Sequence, residues 1–226
     1  MPTMERLLAL DTETTGLEIS EGHRIIEVAA IEILDREITG SMFNEYIQPN
    51  RTVGESVNVH RITDRDLINK PQFKQISDDF LSFIEDATLI IHNAPFDLGF
   101  LNNELKLIGI KEKIENICNI IDTLVESRKK SKVAGERHSL DALCRRYKVD
   151  DSSRTKHGAL IDSRILADVY LKMTGGQIEA FQEDTSTKSE QSDPTLIKRI
   201  KENRDKIKVI HANKDELEAH ENYFQN

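Results

Sequence analysis

Three β-patterned stretches follow one another near the start of the chain, before any helical spacing is met. Leu7 to Leu10 is a short apolar run that ends in Asp11. Arg24 to Leu34 and Ser41 to Gln48 are alternating or β-branched, with a turn-like segment, Asp35 to Gly40, between them. Strands in this succession form a meander. The period then changes: Phe73, Ile76, Phe80, Phe83 and Ile84 keep helical spacing, with Pro71 placed to start the helix. Leu89-Ile90-Ile91 reads as a buried strand, Asp97 to Leu107 as a helix and Ile117 to Ile121 as a fifth strand. Ser139 caps a helix bearing Leu140, Leu143 and Tyr147, and Gly158 to Met173 is a last long helix with Ile161, Ile165 and Val169 on one stripe. Three antiparallel strands followed by strand–helix units predict an α/β fold, a mixed sheet flanked by helices.

The composition changes at Gly175-Gly176. Residues 182–193 contain no apolar side chain, so they cannot contribute to a core and read as a flexible linker. Beyond Pro194 apolar residues return at Leu196, Ile197, Ile200 and Ile207, and Asn213 with Glu216 makes a capping box for a terminal helix. A segment of 33 residues, 194–226, is too short for a core of its own and is expected to fold on something else. The expected division is therefore 1–181 as the domain, 182–193 as linker and 194–226 as tail.

Charge narrows the function. With a net charge of −9, the chain is not built to grip long nucleic acid by its own electrostatics, because phosphate binding is driven by Lys and Arg. Any chemistry on nucleic acid must be local, with a metal or a partner supplying what the surface lacks. There is no run of 18 apolar residues to span a membrane and no secretory signal pattern at the start, so the expected location is the cytoplasm. Cys118 and Cys144 stand outside any CxxC or Cys/His cluster and are read as two reduced, buried thiols.

Acids occur where chemistry would use them. In Asp11-Thr12-Glu13-Thr14-Thr15-Gly16 two carboxylates stand at i and i+2 at a strand end, on one face. In Asn93-Ala94-Pro95-Phe96-Asp97 an acid follows a strand at the entrance to a helix, and in His157-Gly158-Ala159-Leu160-Ile161-Asp162 a histidine precedes the last helix with an aspartate in its second turn. If these segments converge, four carboxylates share one pocket and repel unless cations neutralise them. All-oxygen ligands suit Mg²⁺ or Mn²⁺, and two such ions are the common device for in-line attack on a phosphodiester. His157 is then suited to take the proton of the attacking water. His92, near the second segment, reads as strand packing.

In this order and spacing the three segments resemble the Asp-x-Glu, Asn-x-x-x-Asp and His-x-x-x-x-Asp motifs of the DEDDh exonucleases. Within that family the chain is most similar to the proofreading epsilon subunits of bacterial replicative polymerases. Val59-His60, Ser139 to Cys144, Arg154 to Leu160 and Met173 to Gln177 also follow the epsilon pattern. The resemblance covers residues 5–181, and weakly Ile207 to Ala219. It implies an RNase H-like fold, Asp11, Glu13, Asp97 and Asp162 as ligands of two divalent ions, and His157 as general base. It also implies contact with the terminal nucleotide through Glu55 and His60, beside Asp11, Glu13 and Asp162. Arg61 stands where the family usually has a glycine after that histidine.

The implied substrate is a single-stranded or frayed 3′ DNA end, cut to 5′-nucleotides. The implied partner of the tail is the polymerase. Gln177-Ile178-Glu179-Ala180-Phe181 resembles the short peptides that dock on sliding clamps, with Gln177, Ile178 and Phe181 as the contacts. Two alternatives stay open at this stage: a free-standing DEDDh ribonuclease that trims RNA or short oligonucleotides, and a non-catalytic adaptor between polymerase and clamp.

Overall fold

The structure, a computed structural model, describes residues 5–152, 154 and 157–175. The elements are β1 (Leu7–Thr14), β2 (Ile25–Leu34), β3 (Glu37–Tyr46), α1 (Val57–His60), α2 (Asp64–Leu67), α3 (Phe73–Ile84), β4 (Thr88–Ile91), α4 (Ala94–Leu107), α5 (Ile114–Ile117), β5 (Asn119–Asp122), α6 (Thr123–Lys130), α7 (Leu140–Tyr147) and α8 (Ala159–Gly175). Single 3₁₀ turns cover Ile19–Glu21 and Gly54–Ser56. The strands form one sheet in the order β3-β2-β1-β4-β5. The first three are antiparallel, and β4 and β5 continue the sheet parallel to β1.

The central strands β1, β2 and β4 are buried on both faces. Leu8, Leu10, Val28, Leu89 and Ile91 pack with Phe73, Phe80, Leu101 and Leu105 of α3 and α4 on one side. On the other, Leu7, Ala9, Ile33 and Ile90 pack with Leu140 and Leu143 of α7 and Ile165, Leu166 and Val169 of α8. Strand side chains alternate between faces, so the chain's central strands need apolar residues at consecutive positions, as β1 has from Leu7 to Leu10. A smaller cluster of Ile26, Val53, Ile62 and Leu67 supports the loops around α1 and α2.

Strand boundaries differ from the sequence reading in β1, β3 and β5, and β5 starts at Asn119 because Ile117 still belongs to α5. β1 runs four residues past its apolar stretch, because Asp11, Thr12 and Glu13 keep their backbone pairing with Ala29, Val28 and Glu27 whatever their side chains. β3 begins at Glu37, since the turn is only Asp35-Arg36, both with positive φ (48° and 66°), which is the two-residue hairpin geometry. The short α1, α2 and α5 have too few residues for a period to show, and α6 has too few apolar ones. Cys118 and Cys144 are buried and free. Among the described residues no helix is long and apolar enough to cross a membrane. The clamp-like segment Gln177 to Phe181, the linker 182–193 and the tail 194–226 lie outside the described residues.

Candidate active site

The pleat of β1 sorts its residues. Leu7 and Ala9 face α7 and α8, so by alternation Asp11 and Glu13 continue that row, while Thr12 belongs with Leu8 and Leu10 on the α4 side. There Asp97, in the first turn of α4 and buried, accepts hydrogen bonds from the backbone N–H of Thr12 (3.1 Å) and from its hydroxyl (2.7 Å). The start of α4 is itself pinned. Asn93 takes the left-handed conformation (φ 66°), and the Asp122 carboxylate at the end of β5 accepts from the N–H groups of Asn93 (3.2 Å) and Ala94 (3.1 Å). The same carboxylate caps α6 through Leu124 (2.8 Å) and Val125 (3.3 Å). One aspartate thus fixes two helix starts.

On the opposite face the first turn of α8 is tied to β2. Ala159 N–H donates to the Glu27 carboxylate (3.0 Å), and the Ser163 hydroxyl donates to the carbonyl of Ala29 (3.1 Å). Glu27 and Ala29 are the cross-strand partners of Glu13 and Asp11. Docking α8 there brings its buried Asp162 to the acidic row of β1. His157 Nδ1 lies 2.9 Å from Asp162 Oδ2, while Arg154 Nη2 lies 2.8 Å from both that oxygen and His157 Nδ1. Nδ1 can donate to Asp162 or accept from Arg154, but not both at once. Arg154 also pairs with Asp141.

Four acids are therefore gathered from three elements, and their protonation reflects it. Burial pushes the Asp11 carboxyl well above its ordinary range, and the charges of Asp97, Asp162 and Glu13 push it further. Glu13 rises to about 8, first through burial and then through Asp162, Glu27 and Asp97. Asp97 rises to about 7 through burial, against the lowering effect of its bonds to Thr12. Carboxylates so placed cannot all ionise without a cation.

The donors fit a divalent ion. One ligand atom each from Glu13, His157 and Asp162 lies within 4.8 Å of the others. Asp162 Oδ1 is buried 2.6 Å from Arg154 Nε, so the charge that this carboxylate faces here is the guanidinium.

A cleft of about 610 Å³ opens beside the acids, lined among others by Glu13, Leu17, Glu55, His60 and Phe96. Glu55 is exposed in the 3₁₀ turn before α1. His60 is buried at the end of α1, with Nδ1 accepting from the N–H of Ile62 (3.0 Å) and Nε2 lacking a hydrogen bond. Burial lowers its pKa, which favours the neutral ring with Nε2 carrying the proton. Arg61 accommodates the absent glycine by adopting φ 65° itself. Gly16 is required for closeness: a Cβ there would fall 2.3 Å from the His23 ring. His92 lies just past β4 rather than in it and bonds the Thr123 hydroxyl (2.9 Å).

Comparison with known proteins gives this arrangement its place. The family model described as exonuclease matches residues 8–170. The chain is 45% identical over 223 residues to the DNA polymerase III subunit epsilon of Escherichia coli (strain K12), covering 96% of this chain and 90% of that protein. The chain belongs to the exonuclease family. The subunit epsilon of Rickettsia typhi (strain ATCC VR-144 / Wilmington) is 46% identical over 222 residues, covering 97% of this chain and 95% of that one. Among solved structures, Exonuclease X in complex with 5′ overhanging duplex DNA is similar in fold, with a TM-score of 0.55 and 23% identity over 76% of this chain and 92% of that one.

Exonucleases of this family depend on divalent metal, in keeping with the acidic cluster found here. The exonuclease motifs account for the acids and His157, but not for what holds them. Glu27 and Asp122 escaped the sequence reading, and Thr12 and Arg154 entered it only as members of longer segments, without these roles. Glu27 did leave a signal, a lone acid inside the apolar run Ile25 to Ile31. Thr12, Asp122 and Arg154 look like ordinary polar residues until the fold brings them in.

Proposed function

We propose that the chain is a 3′→5′ exonuclease that removes nucleotides from a DNA end as the proofreading subunit of a bacterial replicative polymerase, with Asp11, Glu13, Asp97 and Asp162 as ligands of two Mg²⁺ or Mn²⁺ ions. The observation that carries this reading is the convergence of the four acids and His157 beside a cleft with room for one nucleotide. The bound ions supply positive charge for the phosphodiester and an acidified water. The protein's part is positional. Thr12 and Asp122 aim Asp97, and Glu27 sets the start of α8, where Asp162 and His157 lie.

With His157 Nδ1 turned to Asp162, Nε2 is the ring nitrogen left to take a proton from water. The His157 side chain is 46% exposed, so water reaches it. Glu55 and His60 line the cleft where the terminal nucleotide would lie.

The likeness to epsilon subunits over nearly the whole chain supports a polymerase as partner. In this reading residues 194–226 bind the polymerase, and the twelve polar residues 182–193 act as a tether spanning roughly 20 Å. Gln177, Ile178 and Phe181 form a weaker contact with a sliding clamp, and the protein works in the cytoplasm at the replisome. Such an anchor compensates for the acidic surface by raising the local concentration of DNA ends.

The test is hydrolysis of DNA and RNA oligomers of matched sequence in Mg²⁺ and in Mn²⁺. Faster shortening of the DNA supports the assignment. A preference for RNA would replace it with a trimming ribonuclease.

A further inference from the structure

A second groove lies next to the cleft. Its volume is about 350 Å³, and its walls include Arg61, Arg145, Arg154, Asp141, Asp151 and His157. Val59 lines both hollows, so they adjoin, with Glu13 in the wall of the first and His157 in the wall of the second. The reacting centre therefore stands between them.

The charges in this groove are unevenly engaged. Arg154 is committed to Asp162 and Asp141. Arg61 and Arg145 are exposed, and neither forms an ion pair among the described residues. Against them stands Asp151, which leaves a local positive balance in a chain of net charge −9. Arg61 is also conformationally unusual. It closes α1 in the left-handed region (φ 65°, ψ 7°), its N–H bonded to the carbonyl of Val57 (2.8 Å), where a glycine would be free of strain. The backbone tolerates a strained residue there, and its side chain lines the groove.

We infer that this groove holds the phosphodiester backbone of the strand behind the scissile bond, with Arg61 and Arg145 each engaging a phosphate. The inference rests on the exonuclease reading and adds which residues hold the part of the substrate that is not released. Removing one nucleotide divides a strand at the acidic cluster. The terminal nucleotide occupies the cleft, and the rest must leave on the other side, past His157. A polyanion following that course meets two unpaired guanidinium groups, whose planar donor forks match phosphate oxygens. Contacts of this kind fix the strand's course without reading its sequence.

The experiment uses the full chain and two variants, Arg61→Gly and Arg145→Ala. Glycine relieves the left-handed backbone, so Arg61→Gly melts no lower than the parent, which separates a binding defect from a folding one. On a short single-stranded DNA oligomer each variant raises KM severalfold with kcat unchanged. The slope of log kcat/KM against log salt flattens by about 0.7 for each phosphate that an arginine no longer neutralises. On the p-nitrophenyl ester of thymidine 5′-phosphate, which has no strand behind the reacting phosphorus, both variants match the parent. Unchanged KM and slope on the oligomer would overturn the inference, and so would equal losses on both substrates. If the parent hydrolyses neither substrate, the exonuclease reading fails by itself, and fluorescence anisotropy of the labelled oligomer still compares the salt slopes and decides the groove.

Discussion

The acidic cluster has two flanks, and they are held by different physics. On the α4 flank Asp97 is fixed by neutral donors, the N–H and hydroxyl of Thr12, with Asp122 pinning the helix start behind it. On the α8 flank Asp162 is fixed by a cation, the Arg154 guanidinium, whose contacts also reach His157 and Asp141. Neutral donors orient a carboxylate and lower its pKa, but burial outweighs them and holds Asp97 at about 7. A guanidinium both orients and neutralises. The α4 flank is therefore built independently of any bound ion, whereas on the α8 flank Arg154 and a divalent ion would compete for the same oxygens.

The largest effect treats the flanks alike. Asp97→Ala and Asp162→Ala are each expected to bring oligonucleotide hydrolysis to background, because in the proposed site either removes a metal ligand. His157→Ala retains a measurable rate, lower by about 10²–10⁴-fold, the usual contribution of a general base. Single-turnover rates check all three, and substantial activity in Asp97→Ala would remove the α4 flank from the site.

Smaller effects separate the flanks. Arg154→Ala leaves Asp162 a buried, uncompensated charge, with a loss of about 3 kcal/mol in EDTA, the lower end for breaking a buried pair. Most of that loss is recovered on adding Mg²⁺. Thr12→Val loses about 1–3 kcal/mol of bonding to Asp97, and the loss is similar with and without the ion. Denaturant midpoints in EDTA and in Mg²⁺ read both. An Arg154→Ala deficit that Mg²⁺ leaves intact would erase the distinction.

The pH dependence is the mildest test and has a definite sign. Glu13 and Asp97 are raised in the folded state to about 8 and about 7, so between their ordinary values and these the folded form binds more protons than the unfolded. Their contribution to stability is present at low pH and is lost as pH rises through 7 and 8. His60 and His92, lowered by burial, act in the opposite sense, but only below their ordinary 6.5. In EDTA the melting temperature should therefore fall from pH 6.5 to pH 8, and Mg²⁺ should flatten the fall. A metal-free protein that melts higher at pH 8 would show that these carboxylates are not crowded.

The two flanks are alike in what the sequence reveals: their acids are legible and their supports are not. Asp11 and Glu13 were legible because an apolar strand ending in acids at i and i+2 is a local pattern, and Asp97 and Asp162 because each sits at a helix start announced by its neighbours. The sheet's meander and the α3, α7 and α8 stripes were legible for the same reason. What holds the acids is not local. Thr12 reaches Asp97 across 85 positions and Glu27 reaches Ala159 across 132, so only the folded register pairs them. The groove arginines were equally hidden, since Arg61 and Arg145 come together only when α1 and α7 meet at one hollow.

In the proposed function the acidic cluster removes nucleotides singly from a 3′ end. Incubating the full chain in Mg²⁺ with a primer carrying a 5′ label and a mispaired 3′ end, and resolving the products by length, checks this. The expected products are a ladder of primers shortened by one nucleotide at a time, with release of 5′-mononucleotides, stopped by EDTA and absent with Asp97→Ala. Internal cuts, loss of the 5′ label as a mononucleotide, or a ladder that persists in EDTA would contradict it.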